Sequence, residues 1–275
     1  MKTIQQATND IKELRIQGAN QIALYGLSYL RNISVRHGFG KKFRAAARIL
    51  EGARPTAVVL HNCIEIVKSN PRTSTFDSLI DALRTVGGRE SIYADKIIDN
   101  NSKIITYCHS GEAMAFIKHA WTTHHKKISV LACKTEPRGQ GIKTAMELAK
   151  GKIPVTLIED NAIGFFIKDV DMVIVGADAL RKDGVINKIG TSLLALAASN
   201  ASKPFYVVAN SLKIDRRKTF RIEERPTLEI RKTIPSRLTG IKVRNPAFDI
   251  TLWNHVTRII NEDGIFAIDR FVRLL

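Results

Sequence analysis

The sequence predicts an α/β protein in which a helical N-terminal domain precedes a Rossmann-like domain with a mainly parallel sheet. Residues 1–97 repeat apolar positions at helical spacing and show no clear strand. From about residue 98, short β-branched runs alternate with apolar helical segments. Such alternation is typical of βαβ units, whose strands pair in parallel. We therefore expect two domains, 1–97 and 98–275.

The first domain is predicted from apolar spacing and from prolines at helix boundaries. Ile4, Ala7 and Ile11 share one helical face, and similar faces recur along the following segments. Pro55 suits the first turn of a later helix, because its missing N–H is not needed there. Pro71 ends that helix, since a proline cannot continue the hydrogen-bond ladder.

The second domain is predicted from short apolar runs bounded by charge and glycine. Strands are expected at residues 104–107, 128–131, 155–158, from Met172 and at 205–208, with helices between them. A short strand is also expected after the Asn245-Pro246 turn. The last apolar segment, Trp253 to Ile260, is predicted to be a helix that ends by Gly264.

Composition limits the classes of partner and compartment. The net charge of +17 favours anionic partners, whether phosphorylated metabolites, nucleic acid or an acidic protein. Basic residues are densest between Lys213 and Lys232, but no nucleic-acid-binding motif accompanies them. No apolar run reaches membrane-span length, and no signal sequence opens the chain. Three scattered cysteines fit a reducing compartment, so we expect a cytoplasmic protein without membrane association or a metal site.

Two reactive side chains follow strands of the predicted sheet. Cys108 comes after the first strand and just before a helix, whose dipole would lower the pKa of the thiol. Asp178 comes after the Met172 strand, at the sheet edge where ligands bind in such folds. A thiolate base and a carboxylic acid suit proton transfer beside a carbonyl. The alternatives are that Cys108 is a small buried hydrophobe and Asp178 a cap or turn residue.

Two further features suit a phosphate or another polar ligand. Lys188 precedes Gly190, which opens a helix whose backbone N–H groups would attract an anion. Gly139-Gln140-Gly141 precedes another helix and faintly resembles a dinucleotide fingerprint, but Thr144 stands where a third glycine belongs. A smaller phosphate or polar ligand is the better interpretation.

Several motifs together resemble one superfamily along nearly the whole chain. They are Gln17-Gly18-Ala19, Arg54-Pro55-Thr56-Ala57-Val58, Thr106-Tyr107-Cys108-His109-Ser110, Gln140-Gly141, Gly176-Ala177-Asp178, Asn187-Lys188-Ile189-Gly190-Thr191 and Asn245-Pro246-Ala247-Phe248-Asp249. The superfamily comprises aldose-1-phosphate isomerases, among them ribose-1,5-bisphosphate and methylthioribose-1-phosphate isomerases, and the α, β and δ subunits of translation initiation factor 2B.

The resemblance implies a cofactor-free aldose–ketose isomerase. The isomerases carry the cysteine and aspartate that match Cys108 and Asp178, whereas the translation-factor subunits generally lack the pair. The Cys-His-Ser context is most similar to archaeal ribose-1,5-bisphosphate isomerase. By that resemblance Cys108 removes the C2 proton and Asp178 protonates the ring oxygen, giving ribulose 1,5-bisphosphate.

The resemblance also implies a substrate-binding set and an assembly. Gln17 and Glu136 stand where the isomerases carry arginine, and Arg15 and Arg138 are candidates to compensate. The assembly implied is a homodimer or a hexamer of dimers, with a nucleotide as a possible effector. The residues that match substrate contacts are Gln17, Gly18, Ala19, Asn20, Arg54, Ser110, Gly111, Glu112, Gln140, Asn187, Lys188 and Lys213.

Two other functions compete with this expectation. The first is a regulatory protein similar to initiation factor 2B, which would bind initiation factor 2, a sugar phosphate or a nucleotide without turnover. The departures at Gln17 and Glu136 and the high positive charge support it. The second is a nucleotide-dependent oxidoreductase, which would need a complete glycine fingerprint that the sequence lacks.

Overall fold

The computed structural model describes residues 2–232, 234–235 and 240–275. Helices dominate the chain up to residue 91, and strands and helices alternate from residue 103 onward. The helices are α1 (Ile4–Lys12), α2 (Ala19–His37), α3 (Lys41–Ala53), α4 (Val58–Ser69), α5 (Thr73–Ser91), α6 (Gly111–Thr122), α7 (Gln140–Lys150), α8 (Ile163–Phe166), α9 (Thr191–Asn200), α10 (Leu228–Arg231) and α11 (Ile268–Val272). The strands are β1 (Lys103–Thr106), β2 (Ser129–Cys133), β3 (Val155–Ile158), β4 (Met172–Val175), β5 (Ala179–Arg181), β6 (Gly184–Lys188), β7 (Phe205–Val208), β8 (Phe248–Thr251), β9 (Arg258–Asn261) and β10 (Gly264–Ala267).

The chain divides into two compact units. The first comprises residues 1–86 and 211–221, and the second comprises 87–210 and 222–275. The later segment belongs to the helical unit because the Asn62 side-chain amide donates to the carbonyls of Leu212 and Ile214, both at 2.7 Å. Leu212 also packs against the apolar core of the helices. The domain boundary expected at residue 97 stays a prediction.

The helical unit is built from amphipathic helices around one apolar core. Helix α1 begins with a capping box, in which the Thr3 hydroxyl accepts from the Gln6 N–H and the Gln6 side chain accepts from the Thr3 N–H. Phe43 and Phe76 are fully buried, with their ring centroids 6.1 Å apart in an edge-to-face arrangement.

In the described part of the second unit, the larger sheet has seven strands in the order β10-β9-β7-β4-β1-β2-β3. Every neighbouring pair is parallel except the β9–β10 hairpin, which confirms the predicted mainly parallel sheet. The central strands are buried on both faces, as their continuous apolar sequences predict. Strand β1 lies between β4 and β2, so the turns that follow these three strands lie side by side.

A smaller antiparallel sheet, β5-β6-β8, carries the residues after Asp178. Lys182 and Asp183 form the turn between β5 and β6. Gly184 has φ +144°, and a Cβ at this position would lie 2.4 Å from the carbonyl oxygen of Thr251. Only glycine fits there, so strand β8 approaches β6 closely and holds Asn187 and Lys188 in register with residues 248 and 249.

The predicted helix at Trp253–Ile260 is wrong. A single 3-10 turn covers Trp253–His255, after which the chain forms β9 in parallel with β7 and then turns back as β10. Ile259 and Ile260 are both fully buried, because this strand is covered on both faces. A doubly buried strand shows no alternation, so apolar periodicity does not distinguish it from a buried helix.

Within the described residues, no helix combines the length and the apolar character that a membrane span requires.

Candidate active site

Cys108 and Asp178 follow the carboxyl ends of two paired strands. Strand β1 ends at Thr106 and its parallel neighbour β4 at Val175. The turns after the two strands are in direct contact: a Cβ on Gly176 would lie 2.1 Å from the Ser110 hydroxyl oxygen. Glycine is therefore required after β4, and the β4 turn packs against the segment that carries Cys108.

The electrostatics of Cys108 connect it to Asp178 and Lys188. Burial, with a smaller contribution from the Asp178 charge, raises the pKa of the Cys108 thiol to about 12. The His109 N–H and the Lys188 ammonium lower that pKa and thus favour the thiolate. Asp178 and Lys188 therefore both act on the Cys108 thiol, in opposite directions.

The expectation that the helix dipole lowers the Cys108 pKa is wrong. Helix α6 begins at Gly111 with Ser110 as its N-cap, so Cys108 lies outside the first helical turn. The dipole effect falls off within one turn, whereas desolvation acts directly on the sulfur.

Lys188 lies at the end of β6, is 4% exposed and is influenced by charges from three other segments. Burial lowers the pKa of Lys188; the Cys108 and Glu229 charges raise it, and Arg225 and Arg138 lower it. Glu229 accepts a hydrogen bond from Arg138 at 3.3 Å and another from Asn245 at 3.0 Å. Three cations, Lys188, Arg138 and Arg225, thus influence one another here, with Glu229 bonded to Arg138 and Glu223 paired with Arg225 at 3.1 Å. Such a set suits an anionic ligand.

The N-terminus of α9 already holds a carboxylate. Asp249 Oδ2 accepts from the Gly190 N–H at 2.7 Å, the Ser192 N–H at 3.1 Å and the Ser192 hydroxyl at 2.9 Å. Burial raises the pKa of Asp249, while these donors favour its charged form. The expectation that the backbone N–H groups at this terminus are unpaired is wrong for Gly190 and Ser192, because Asp249 on β8 binds both.

The Asn187 amide donates to the Thr191 hydroxyl at 3.2 Å, and that hydroxyl donates to the Lys188 carbonyl at 2.6 Å. These bonds fix the β6–α9 turn at the residues that precede the helix. Both Asn187 and Lys188 are buried in the described structure.

The Gly139-Gln140-Gly141 segment packs closely against the end of β2. A Cβ on Gly141 would lie 1.6 Å from the Cys133 carbonyl oxygen, and the Gly141 N–H donates to the Lys134 carbonyl at 3.0 Å. The start of α7 is therefore pressed against the end of β2. Among the described residues, the buried Gln140 Oε1 atom has no hydrogen-bond partner, which is consistent with a ligand contact.

Ser110, Gly111 and Glu112 form the first turn of α6. The Ser110 hydroxyl caps the helix by accepting from the Ala113 N–H. Gly111 is exposed, whereas Glu112 is 3% exposed and accepts from the Asn210 N–H at 3.0 Å and from the Asn210 side-chain amide. Glu112 thus links α6 to the end of β7.

The other predicted substrate residues belong to the helical unit. Gln17 is exposed and donates to the Leu14 carbonyl at 3.0 Å. Arg15, the candidate to replace a missing arginine, instead pairs with Asp10 at 3.1 Å and with Glu13. Gly18 is the N-cap of α2, Ala19 and Asn20 lie in its first turn, Arg54 follows α3 and Lys213 lies in a buried turn. The substrate-binding roles of Gln17 and of these five residues stay predictions.

One group in the described structure has the geometry to hold a metal ion: Glu51, His61 and Glu65. The sequence shows no ligand spacing for it, because Glu51 is on α3 and the other two residues are on α4. Lys68 places its ammonium 3.1 Å from Glu51 and 2.7 Å from Glu65, so a resident cation already balances these carboxylates.

Sequence reasoning missed residues that become relevant only through tertiary contacts. Arg225 was part of the basic run, but nothing in the sequence placed it beside Lys188. Thr135 and Glu229 gave no signal of their own, Asp249 appeared only as the last residue of the Asn245–Asp249 motif, and Thr144 appeared only as a departure from a glycine fingerprint.

Two proteins named as sugar-phosphate isomerases are similar to this chain over nearly its whole length. A ribose 1,5-bisphosphate isomerase of Methanocaldococcus jannaschii is 35% identical, over 96% of this chain and 92% of its own length. A methylthioribose-1-phosphate isomerase of Acetivibrio thermocellus is 33% identical, over 96% of this chain and 88% of its own length.

Solved structures show the same fold. A Pyrococcus horikoshii protein described as translation initiation factor eIF-2B matches with a TM-score of 0.84 and 26% identity, covering 98% of both chains. The 5-methylthioribose 1-phosphate isomerase of the same organism matches with a TM-score of 0.75 and 25% identity, covering 99% of this chain and 88% of that one. The family model described as "Initiation factor 2 subunit family" matches residues 15–268, and this chain belongs to that family.

Proposed function

We propose that this protein is an aldose–ketose isomerase that converts ribose 1,5-bisphosphate to ribulose 1,5-bisphosphate. The observation that carries the proposal is the placement of Cys108 and Asp178 after adjacent parallel strands, with Lys188 acting on the same thiol. Relatives 35% and 33% identical bear the names of sugar-phosphate isomerases, which supports the reaction class.

The pair supplies the two proton transfers that the reaction needs. The Cys108 thiolate takes the proton from C2, and its bonding electrons form the C1–C2 double bond of an enol phosphate. The bond between C1 and the ring oxygen breaks at the same time, and Asp178 gives its proton to that oxygen. Return of a proton to C1 and loss of the C2 hydroxyl proton complete the ketose.

The reactive form of the pair differs from the resting form. Burial and the Asp178 charge hold the proton on Cys108 in the resting site. Transfer of that proton from Cys108 to Asp178 leaves the net charge of the pair unchanged and gives the thiolate base together with the carboxylic acid. Lys188 favours this form, because its ammonium stabilises the thiolate.

The cation set around Lys188 supports a phosphorylated substrate. Arg138 supplies a guanidinium near Lys188, whereas Glu136, at the position where the isomerases carry arginine, pairs with Lys134 at 2.9 Å. Arg138 is therefore the better candidate to replace that arginine. In this proposal a phosphate group displaces Glu229 from Arg138 and gains the charges of Arg138 and Lys188.

Turnover of a small substrate panel tests the proposal. Ribose 1,5-bisphosphate, methylthioribose 1-phosphate and ribose 1-phosphate are each incubated with the protein, and the ketose products are followed by phosphorus NMR. We expect ribose 1,5-bisphosphate to have the highest kcat/KM, by at least about tenfold. Preference for either monophosphate by a similar factor would contradict the assignment of the second phosphate and leave the isomerase class standing.

A regulatory protein is the second candidate. The eIF-2B structure of P. horikoshii is a close structural neighbour, and Gln17 and Glu136 depart from the isomerase pattern. This candidate predicts binding of sugar phosphate, nucleotide or initiation factor 2 in calorimetry with no turnover of the panel. Measurable turnover of any of the three sugars by the wild type would rule it out.

We also propose a homodimer or a hexamer of dimers. In the second unit, Phe165, Leu193 and Leu196 on neighbouring helices are 77%, 67% and 45% exposed, an apolar surface of the kind that subunit contacts cover. Light scattering on the purified protein tests the assembly. A monomer mass at micromolar concentration would contradict it.

A further inference from the structure

The backbone of Cys108 is in an unusual conformation. Its φ is +65°, the left-handed region that few residues other than glycine adopt. Such a conformation persists only where surrounding contacts hold it, and it is found most often at functional sites. The contacts that hold the Cys108 backbone in this conformation therefore also set the orientation of its thiol.

Two threonine hydroxyls bind both polar groups of the Cys108 backbone. The Cys108 N–H donates to Thr135 Oγ1 at 2.9 Å, and the Cys108 carbonyl accepts from Thr144 Oγ1 at 2.8 Å. Neither threonine is more than 1% exposed. Because both hydroxyls are buried, their bonds fix the peptide planes on both sides of the Cα atom.

Each hydroxyl makes one further hydrogen bond. Thr135 Oγ1 donates to the Cys133 carbonyl at 3.0 Å. Thr144 gives its single proton to Cys108, so the contact at 3.0 Å between Thr144 Oγ1 and His109 Nδ1 requires the histidine to donate. A chain of bonds thus runs from the His109 ring through Thr144 to the Cys108 carbonyl.

The threonines are themselves held by rigid backbone. The Thr135 N–H donates to Asp160 Oδ1 at 2.7 Å. Thr144 is one turn along α7 from Gly141, whose Cα lies so close to Cys133 that no side chain fits. Both hydroxyls therefore sit on elements that are fixed against the end of β2.

We propose that Thr144, together with Thr135, is a positioning residue that holds Cys108 in the left-handed conformation required for proton abstraction. The kinetic part of this inference rests on the proposed isomerase function. The structural part, that the Thr144 hydroxyl sets the orientation and accessibility of the Cys108 thiol, does not.

Valine and serine variants of Thr144 separate the hydroxyl from its packing. Thr144→Val keeps the shape and removes the hydrogen bonds, whereas Thr144→Ser keeps the hydroxyl. Thr122→Val is the matched control, since Thr122 is also a helical threonine that donates to a backbone carbonyl, that of Lys118 at 2.9 Å, but is exposed. Melting curves confirm that each variant is folded.

The kinetic readout is the division of the effect between kcat and KM. We expect Thr144→Val to lower kcat about 30-fold, equivalent to about 2 kcal/mol, with KM within about threefold of wild type. Thr144→Ser and Thr122→Val should stay within about threefold in both. Wild-type kcat in Thr144→Val, or an equal loss in Thr144→Ser, would overturn the inference.

Alkylation of Cys108 by iodoacetamide provides a readout that needs no substrate. Thr144→Val should change the alkylation rate of Cys108 at least about fivefold, while Thr144→Ser and Thr122→Val leave it within about twofold. Equal rates in all variants would overturn the inference even if the isomerase is confirmed. Unequal rates in a protein that turns over no sugar phosphate would leave the positioning role standing and contradict only the proposed function.

Discussion

The raised pKa of Cys108 predicts how fast its thiol reacts with an alkylating reagent. The pKa of its thiol is raised to about 12, first by burial and then by the Asp178 charge. At pH 8 a thiol with that pKa is about 0.01% thiolate, whereas an ordinary cysteine with a pKa near 8.5 is roughly a quarter thiolate. Iodoacetamide reacts with the thiolate, so folded Cys108 should react about a thousandfold more slowly than the same cysteine in the unfolded chain.

The pH dependence of Cys108 alkylation shows whether the pKa of the thiol is raised or lowered. Because the folded pKa lies far above neutrality, the alkylation rate should rise about tenfold per pH unit from pH 7 to 10 without reaching a plateau. The modified Cys108 peptide is quantified by mass spectrometry, with urea-unfolded protein as the reference. Lys188→Met should lower the rate further, since it removes a cation that lowers the Cys108 pKa. A plateau below pH 9, or faster reaction in Lys188→Met, would refute this account of the site.

Two matched pairs of variants test the supporting geometry. Gly141→Ala should lower the free energy of unfolding by at least about 3 kcal/mol in denaturant, because the new Cβ would lie 1.6 Å from the Cys133 carbonyl oxygen. The control Gly88→Ala places its Cβ in open space on α5 and should be neutral or stabilise by up to about 1 kcal/mol. Equal unfolding midpoints for the two variants would contradict the close approach of Gly141. Glu229→Gln should lower the inhibition constant of inorganic phosphate about fivefold, because it removes a carboxylate that acts on Lys188. Glu224→Gln removes the same charge beside Arg244 and should leave that constant unchanged. Similar inhibition by the two variants would show a general effect of net charge.

The sequence was sufficient for most of the second unit because its strands have an unmistakable local signature. The β1 and β4 segments are β-branched, short and bounded by charge or glycine, so both their type and their parallel pairing follow from pattern alone. The β9 segment has the same composition but follows a tryptophan-containing stretch of mixed character. Its identity as a strand depends on pairing with β7, which is a tertiary fact.

The positions of Cys108 and Asp178 after neighbouring strands could be predicted from the sequence, but the electrostatics around them could not. Cys108 and Asp178 were identified from their positions after strands, whereas the direction of the Cys108 pKa was not, because desolvation outweighs the dipole and depends on packing. Asp249 lies in one of the motifs found in the sequence, but its bonding partners could not be predicted. It binds Gly190, 59 residues earlier in the chain, and thereby occupies the helix terminus that the local sequence offers to a phosphate.

Catalysis by wild type, Cys108→Ser and Asp178→Asn on ribose 1,5-bisphosphate tests the central claim most directly. The three proteins are compared at equal concentration, with melting temperatures to confirm folding and with ribulose 1,5-bisphosphate quantified over time. We predict turnover by the wild type and a loss of at least about a thousandfold in both variants, because each removes one of the two proton-transferring groups. Wild-type rates in Cys108→Ser would contradict the account, because the reaction would then proceed without the residue assigned as its base.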